Sequence, residues 1–174
     1  LPIGVTSTAF ESGGLIPVRH ARDGDNLSPP LTWSDPPDGT ESYAILFVSD
    51  PVADGGGTWV LWALYNLPAD IRGLSEGLVP DGDGAIEIGG QHLENSYMEL
   101  AYSGPSPHPI ETRRFYLRIF ALDTVLETAD IEAAAASVDT WIGGTELTLL
   151  KAMEGHVLAR GQISGKYKGE SPIG

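Results

Sequence analysis

The segment Ser42–Ser49 (SYAILFVS) is apolar at odd and even positions alike, with Tyr43, Ile45 and Phe47 interleaved with Ala44, Leu46 and Val48. Successive side chains of a strand leave on opposite faces, so this strand needs cover on both sides. Trp59–Asn66 has the same character. Arg114–Leu122 differs: Phe115, Leu117, Ile119 and Ala121 make one dry face, and Arg114, Tyr116, Arg118 and Phe120 make a mixed one. The 22 Gly and 13 Pro are spread between these short runs, as strands joined by turns require. The chain therefore reads as mainly β, and its 174 residues suit one domain, 1–174, with a sizeable core.

Two segments read as helices instead. Ala129–Val138 holds the strong helix-former run Ala133–Ala136. In Thr145–Arg160, Leu147, Leu150, Val157 and Leu158 recur at helical spacing, with Thr145 placed to cap the N-terminus. Gly155 would then sit inside that helix, where it costs about 1 kcal/mol relative to Ala and implies a close backbone contact. Asp81-Gly82-Asp83-Gly84 has the alternating carboxylates of a calcium loop, but position 92 is His92 rather than the bidentate Glu that such a loop needs, so a turn is the reading.

The 24 Asp plus Glu against 10 Lys plus Arg give a formal net charge of −14. Such a surface repels nucleic acid and anionic membranes, and only Arg113, Arg114 and Arg118 cluster. No Cys is present, which excludes disulfides, thiolate metal sites and a cysteine nucleophile. No apolar run approaches the ~20 residues of a membrane span, and no signal-type segment is evident, so a soluble chain is expected, cytoplasmic or exported.

Local reading leaves the chemistry open. Asp50, closing an apolar strand, is either a turn cap or a group facing a pocket. Arg113 shares the face of Phe115, Leu117 and Ile119, and a charge at that inner edge needs a partner: Asp50, or a bound anion. His20 and His92 fall in loop-like segments and read as solvated, His156 reads as a packing or capping residue of the last helix, and His108 stands between two prolines. No pair of histidines has the i, i+4 spacing of a helical zinc site, and no G-x-S-x-G element announces a serine nucleophile, so neither a metal nor a cofactor is expected.

Asp50-Pro51, Trp59–Pro68 (WVLWALYNLP), Gly104-Pro105 with Pro107, and Arg113-Arg114-Phe115 resemble the pocket motifs of the phosphatidylethanolamine-binding protein family, in its bacterial and archaeal, Raf kinase inhibitor-like branch. The resemblance extends through Ser28–Trp33, Asn95, Ala121-Leu122-Asp123, Ala152–Ala159 and Gly165-Lys166-Tyr167. It implies an antiparallel Greek-key β-sandwich with a few helices, one near the C-terminus. It also implies an anion pocket lined by Asp50, Trp59, Leu61, Gly104, Pro105, Arg113 and Phe115, with His108 on the rim. Leu61 and Arg113 stand where the family carries histidines, Val52 stands for its second motif Asp, and residues 125–144 look like an insertion. The implied function is a non-catalytic module that holds a small anion or phosphorylated headgroup. The second reading is a protein-contact regulator, kinase- or protease-inhibitor-like, whose pocket is degenerate or plugged by an Asp50–Arg113 pair. A hydrolase with Asp50 and His108 as an acid–base pair is a third. A homodimer is the expected assembly.

Overall fold

The computed structural model describes residues 2–50, 58–106, 112–138 and 144–169. Pro51, Val52, Pro107 and His108 lie outside these residues, as does the stretch 139–143 of the 125–144 segment. A six-stranded sheet runs in the order β2 (Gly14–Leu15), β9 (Val157–Lys168), β8 (Thr112–Leu122), β4 (Ser42–Ser49), β5 (Val60–Pro68), β7 (Gln91–His92). Its pairings are antiparallel except β2 with β9. A small sheet orders β1 (Val5–Thr6), β3 (Leu31–Trp33) and β6 (Gly73–Leu74).

β4 is central and all eight of its residues are buried, as its doubly apolar pattern requires. Tyr43, Ile45 and Phe47 join a cluster with Leu31 and Trp33 of β3 and Leu74 of β6, so the small sheet covers that face. Ala44, Leu46 and Val48 pack with Ile131 of α1 (Thr128–Ala136) and with Leu149 and Met153 of α2 (Gly144–Met153), so the helices cover the other. On β8, Phe115, Leu117, Ile119 and Ala121 are all buried with the first cluster, and Phe120 and Leu122 with the second. Both apolar faces of the sheet thus find cover, and Thr112, Arg113 and Arg114 make one end of β8 polar.

The expected helix Thr145–Arg160 is shorter than its spacing suggests. α2 ends at Met153, and Val157 and Leu158 belong to β9, which pairs along almost all of β8. Gly155, at φ +83, ends the helix in the left-handed region, with nothing within 4 Å of where a Cβ would stand; conformational freedom, not a close contact, explains it. The stripe differs too: Thr148, Leu149 and Met153 are buried, whereas Leu147 and Leu150 are exposed. The Thr145 hydroxyl donates to the Glu94 carbonyl, tying α2 to the loop after β7. The Asp81 region is a turn, in which the Asp81 carboxylate accepts from the Asp83 and Ala85 amides.

Two histidines overturn the solvated reading. His92 is 2% exposed: its Nδ1 donates to the Gly84 carbonyl at 2.8 Å and its Nε2 accepts from the Trp62 indole at 2.9 Å. His20 is fully buried, its Nδ1 bonded to the Leu27 carbonyl at 2.8 Å. His92 belongs to the short strand β7 and His20 to a 3-10 turn, Val18–His20, rather than to solvated loops. His156 lies past α2 and is half exposed, 2.8 Å from the Asp123 carboxylate.

Candidate functional site

At the Arg113 end of the large sheet a cavity of about 210 Å³ opens between β4, β5, β8 and the loop that follows β7. Its position follows from a break in pairing. Phe47 faces Trp62 and Val48 faces Val60, so Leu61 is an extra residue, a bulge that turns its side chain to the same face as Trp62. The freed Leu61 carbonyl leaves the ladder and accepts from the Ser103 amide at 3.1 Å and the Asn95 side-chain amide at 3.3 Å. Leu61 forms part of the lining, 1% exposed, able neither to donate nor to titrate.

Asn95 is the hub of the adjoining loop. Its Nδ2 also donates to the Ala101 carbonyl, and its Oδ1 accepts from the amides of Tyr97 and Glu99. Four hydrogen bonds from one buried amide use its full capacity and fix the loop that carries Tyr97 to the cavity. There the Tyr97 ring meets Trp59 edge-on at 5.1 Å. The Arg22 guanidinium stacks on Tyr97 at 3.7 Å and bonds to Glu99 and the Ser103 hydroxyl. Gly104 closes the same wall: a Cβ there would lie 1.9 Å from the His20 carbonyl oxygen, so only glycine allows this approach. Its amide donates to Asn26 Oδ1 at 2.7 Å. The buried Tyr102 phenol donates to that same His20 carbonyl, and burial pushes its pKa far above the ordinary tyrosine range.

Opposite, Ser49 sits at the end of β4 in register with Phe115 of β8. Its hydroxyl donates to the Asp50 carbonyl and accepts from the Trp59 amide, which anchors Trp59 at the mouth. Thr58, one residue earlier, donates to Glu146 of α2 at 2.9 Å, and Arg118 lies 3.5 Å from the same carboxylate. Arg113 is two residues before Phe115 on the same face and lines the cavity half-buried. It forms no ion pair among the described residues.

Of the residues singled out in the sequence, Trp59, Leu61, Gly104, Arg113 and Phe115 line one cavity. Asp50 and Pro105 are not among its lining residues. The reason for Asp50 is the pleat: Ser49 occupies the cavity side, and Asp50 pairs by its amide with the Arg114 carbonyl, one step out of phase with Arg113. The Asp50–Arg113 pair is therefore not formed. Pro105 is buried behind the wall, where its carbonyl accepts from the Arg22 amide. Ser49, Tyr97 and Ser106 complete the lining, and none of them stands out in the sequence. Strand parity at Ser42–Ser49 is the signal that identifies Ser49; no local signal identifies Tyr97, which is placed by Asn95.

Residues 6–168 match the family model described as phosphatidylethanolamine-binding protein. A UPF0098 protein of Methanothermobacter thermautotrophicus is 39% identical over 160 residues, 92% of this chain and 95% of that one. The UPF0098 protein YbhB of Escherichia coli is 34% identical over 139 residues, 75% of this chain and 83% of its own. A crystal structure from Chlamydia trachomatis, described as a homologue of phosphatidylethanolamine-binding protein, superposes with a TM-score of 0.75 at 31% identity, covering 97% of this chain and 99% of that one. YbcL of E. coli shares the fold, with a TM-score of 0.74 at 24% identity over 97% of this chain and 99% of its own.

Proposed function

The chain belongs to the phosphatidylethanolamine-binding protein family, and on that premise we propose that it is a binding module that holds a small anion at Arg113 without turning it over. One observation carries the reading. Arg113 stands half-buried on a cavity wall with no carboxylate paired to it among the described residues. A guanidinium drawn from water and left unpaired is costly, and an oxyanion accepting two of its parallel N–H groups removes that cost. The hydroxyl of Ser106 adds a polar group at the same mouth.

No described lining residue supplies a general base, because Asp50 is outside the cavity and the Ser49 hydroxyl already donates to a carbonyl. Turnover is accordingly not expected on esterase, phosphatase or peptidase substrates, and activity lost in Asp50→Ala would refute this. The plugged-pocket regulator loses its motive, since the pair that would form the plug lies out of phase across the pleat. A homodimer belongs to the proposal as well, and light scattering at moderate salt tests it against a mass of 18.4 kDa.

The binding reading is tested by titration calorimetry with acetate and inorganic phosphate. Arg113→Ala removes charge-assisted hydrogen bonds worth ~1.5–3 kcal/mol and should weaken binding roughly 10- to 150-fold. Equal affinity in wild type and variant would end the proposal.

A further inference from the structure

We infer that the pocket is selective for a monoanion with a flat apolar body, an aryl carboxylate, over phosphate and over zwitterionic headgroups. The inference rests on the reading of Arg113 as the anion site and adds what the rest of the lining says about the ligand. Three aromatic rings, Trp59, Tyr97 and Phe115, and the aliphatic Leu61 make up half of the named lining, against a single cation among the described residues. Aromatic walls reward a ligand that has a ring of its own, through area removed from water and through edge or offset ring contacts. Trp59 and Tyr97 already stand edge-on at 5.1 Å, an arrangement that a third ring can extend.

Charge sets the headgroup. Arg113 supplies one positive charge to the lining, which matches a carboxylate. Among the described lining residues a second negative charge has no counterpart, and it would enter against the field of a chain whose formal net charge is −14. An ammonium group fares no better, because no carboxylate is among the described lining residues and Asp50 is turned away by the pleat. Where a polar side chain at the Leu61 position could hold further phosphate oxygens, leucine offers only apolar surface, so each such oxygen would lose water without replacement. Size agrees: about 210 Å³ is below the ~300–1,000 Å³ of drug-sized sites, enough for a ring and its carboxylate but not for a diacyl lipid.

The preorganisation of the rings supports this role. Tyr97 is held through the Asn95 hub and stacked beneath Arg22, and Trp59 is held by Ser49. A ligand that uses these rings does not have to order them first.

The test is calorimetric titration of the whole chain with benzoate, acetate, inorganic phosphate and phosphoethanolamine at pH 7.5 and fixed ionic strength. Benzoate should bind at least about tenfold more tightly than acetate, as burial of a ring predicts. Phosphate should bind no more tightly than acetate, and phosphoethanolamine the least. Tyr97→Leu, checked for native circular dichroism, should remove most of the advantage of benzoate over acetate. Benzoate equal to acetate, or phosphate or phosphoethanolamine ahead of benzoate, overturns the selectivity even if every anion still depends on Arg113. Loss of no affinity in Arg113→Ala, or binding of none of the four, overturns the anion site itself and the selectivity with it.

Discussion

The β5–β7 edge and the β4–β8 mouth of the large sheet treat a buried or half-buried polar side chain in opposite ways. At the edge, His92 has both ring nitrogens matched, one by the Gly84 carbonyl and one by the Trp62 indole, inside the core. At the mouth, Arg113 carries a full charge to a cavity and meets no carboxylate among the described residues. A matched group stabilises the fold and has nothing left to offer a ligand; an unmatched one does the reverse. The same sheet thus separates stability from recognition by where its polar groups find partners.

The sharpest way to break this contrast is to truncate His92. His92→Ala would leave the Trp62 indole unpaired, take from the Gly84 carbonyl one of its two donors and open a void, at a cost of about 2–4 kcal/mol in urea unfolding. A cost below about 1 kcal/mol would mean that the edge is not a structural anchor. Arg113→Ala should behave in the opposite sense, weakening anion binding 10-fold or more yet shifting stability by no more than ~0.5 kcal/mol. A large loss of stability in that variant would show a structural partner for Arg113.

Acid provides a third, smaller lever. Burial holds the His92 pKa below the ordinary value of 6.5, with the Gly84 hydrogen bond opposing the shift. The unfolded chain then takes up this proton first. The contribution of His92 is therefore complete above about pH 6.5 and declines as pH falls toward the depressed folded value, with a slope of at most ~1.4 kcal/mol per pH unit. His92→Gln, which can still donate and accept, should flatten this slope in melts between pH 7 and pH 5. Anion binding at Arg113 should hardly change between pH 7 and pH 9, because a guanidinium stays protonated there. The smallest effect is expected at the brace behind the mouth: Glu146→Gln weakens the contacts to Thr58 and Arg118 and should cost about 0.5 kcal/mol, with a modest loss of benzoate affinity.

Much of the fold is legible in the order of the amino acids. Alternation in Arg114–Leu122 and double apolarity in Ser42–Ser49 identify two central strands and their faces, because a strand's side-chain period is set by its own backbone. The Ala-rich run identifies α1 for an equally local reason. Thr145–Arg160 misleads, because helical spacing at Leu147, Leu150, Val157 and Leu158 is only a local preference. Pairing with β8 draws Val157 onward into a twelve-residue strand, and Gly155 marks the turn between the two.

The chain's own pattern, then, determined a β core, an Arg113 on the dry face of its strand, and a leucine where a polar pocket residue could have stood. Only the tertiary structure decided which groups met. Pleat phase put Ser49 rather than Asp50 on the cavity side, a bulge turned Leu61 into its lining, and the hydrogen bonds of Asn95 brought Tyr97 across from a distant loop. His20 and His92 look like surface residues in sequence and are core residues in fact, since burial belongs to whatever packs over a residue. Periodicity is a property of neighbours along the chain, whereas partnership depends on segments tens of residues apart, and the chemistry of this pocket is made of partnerships.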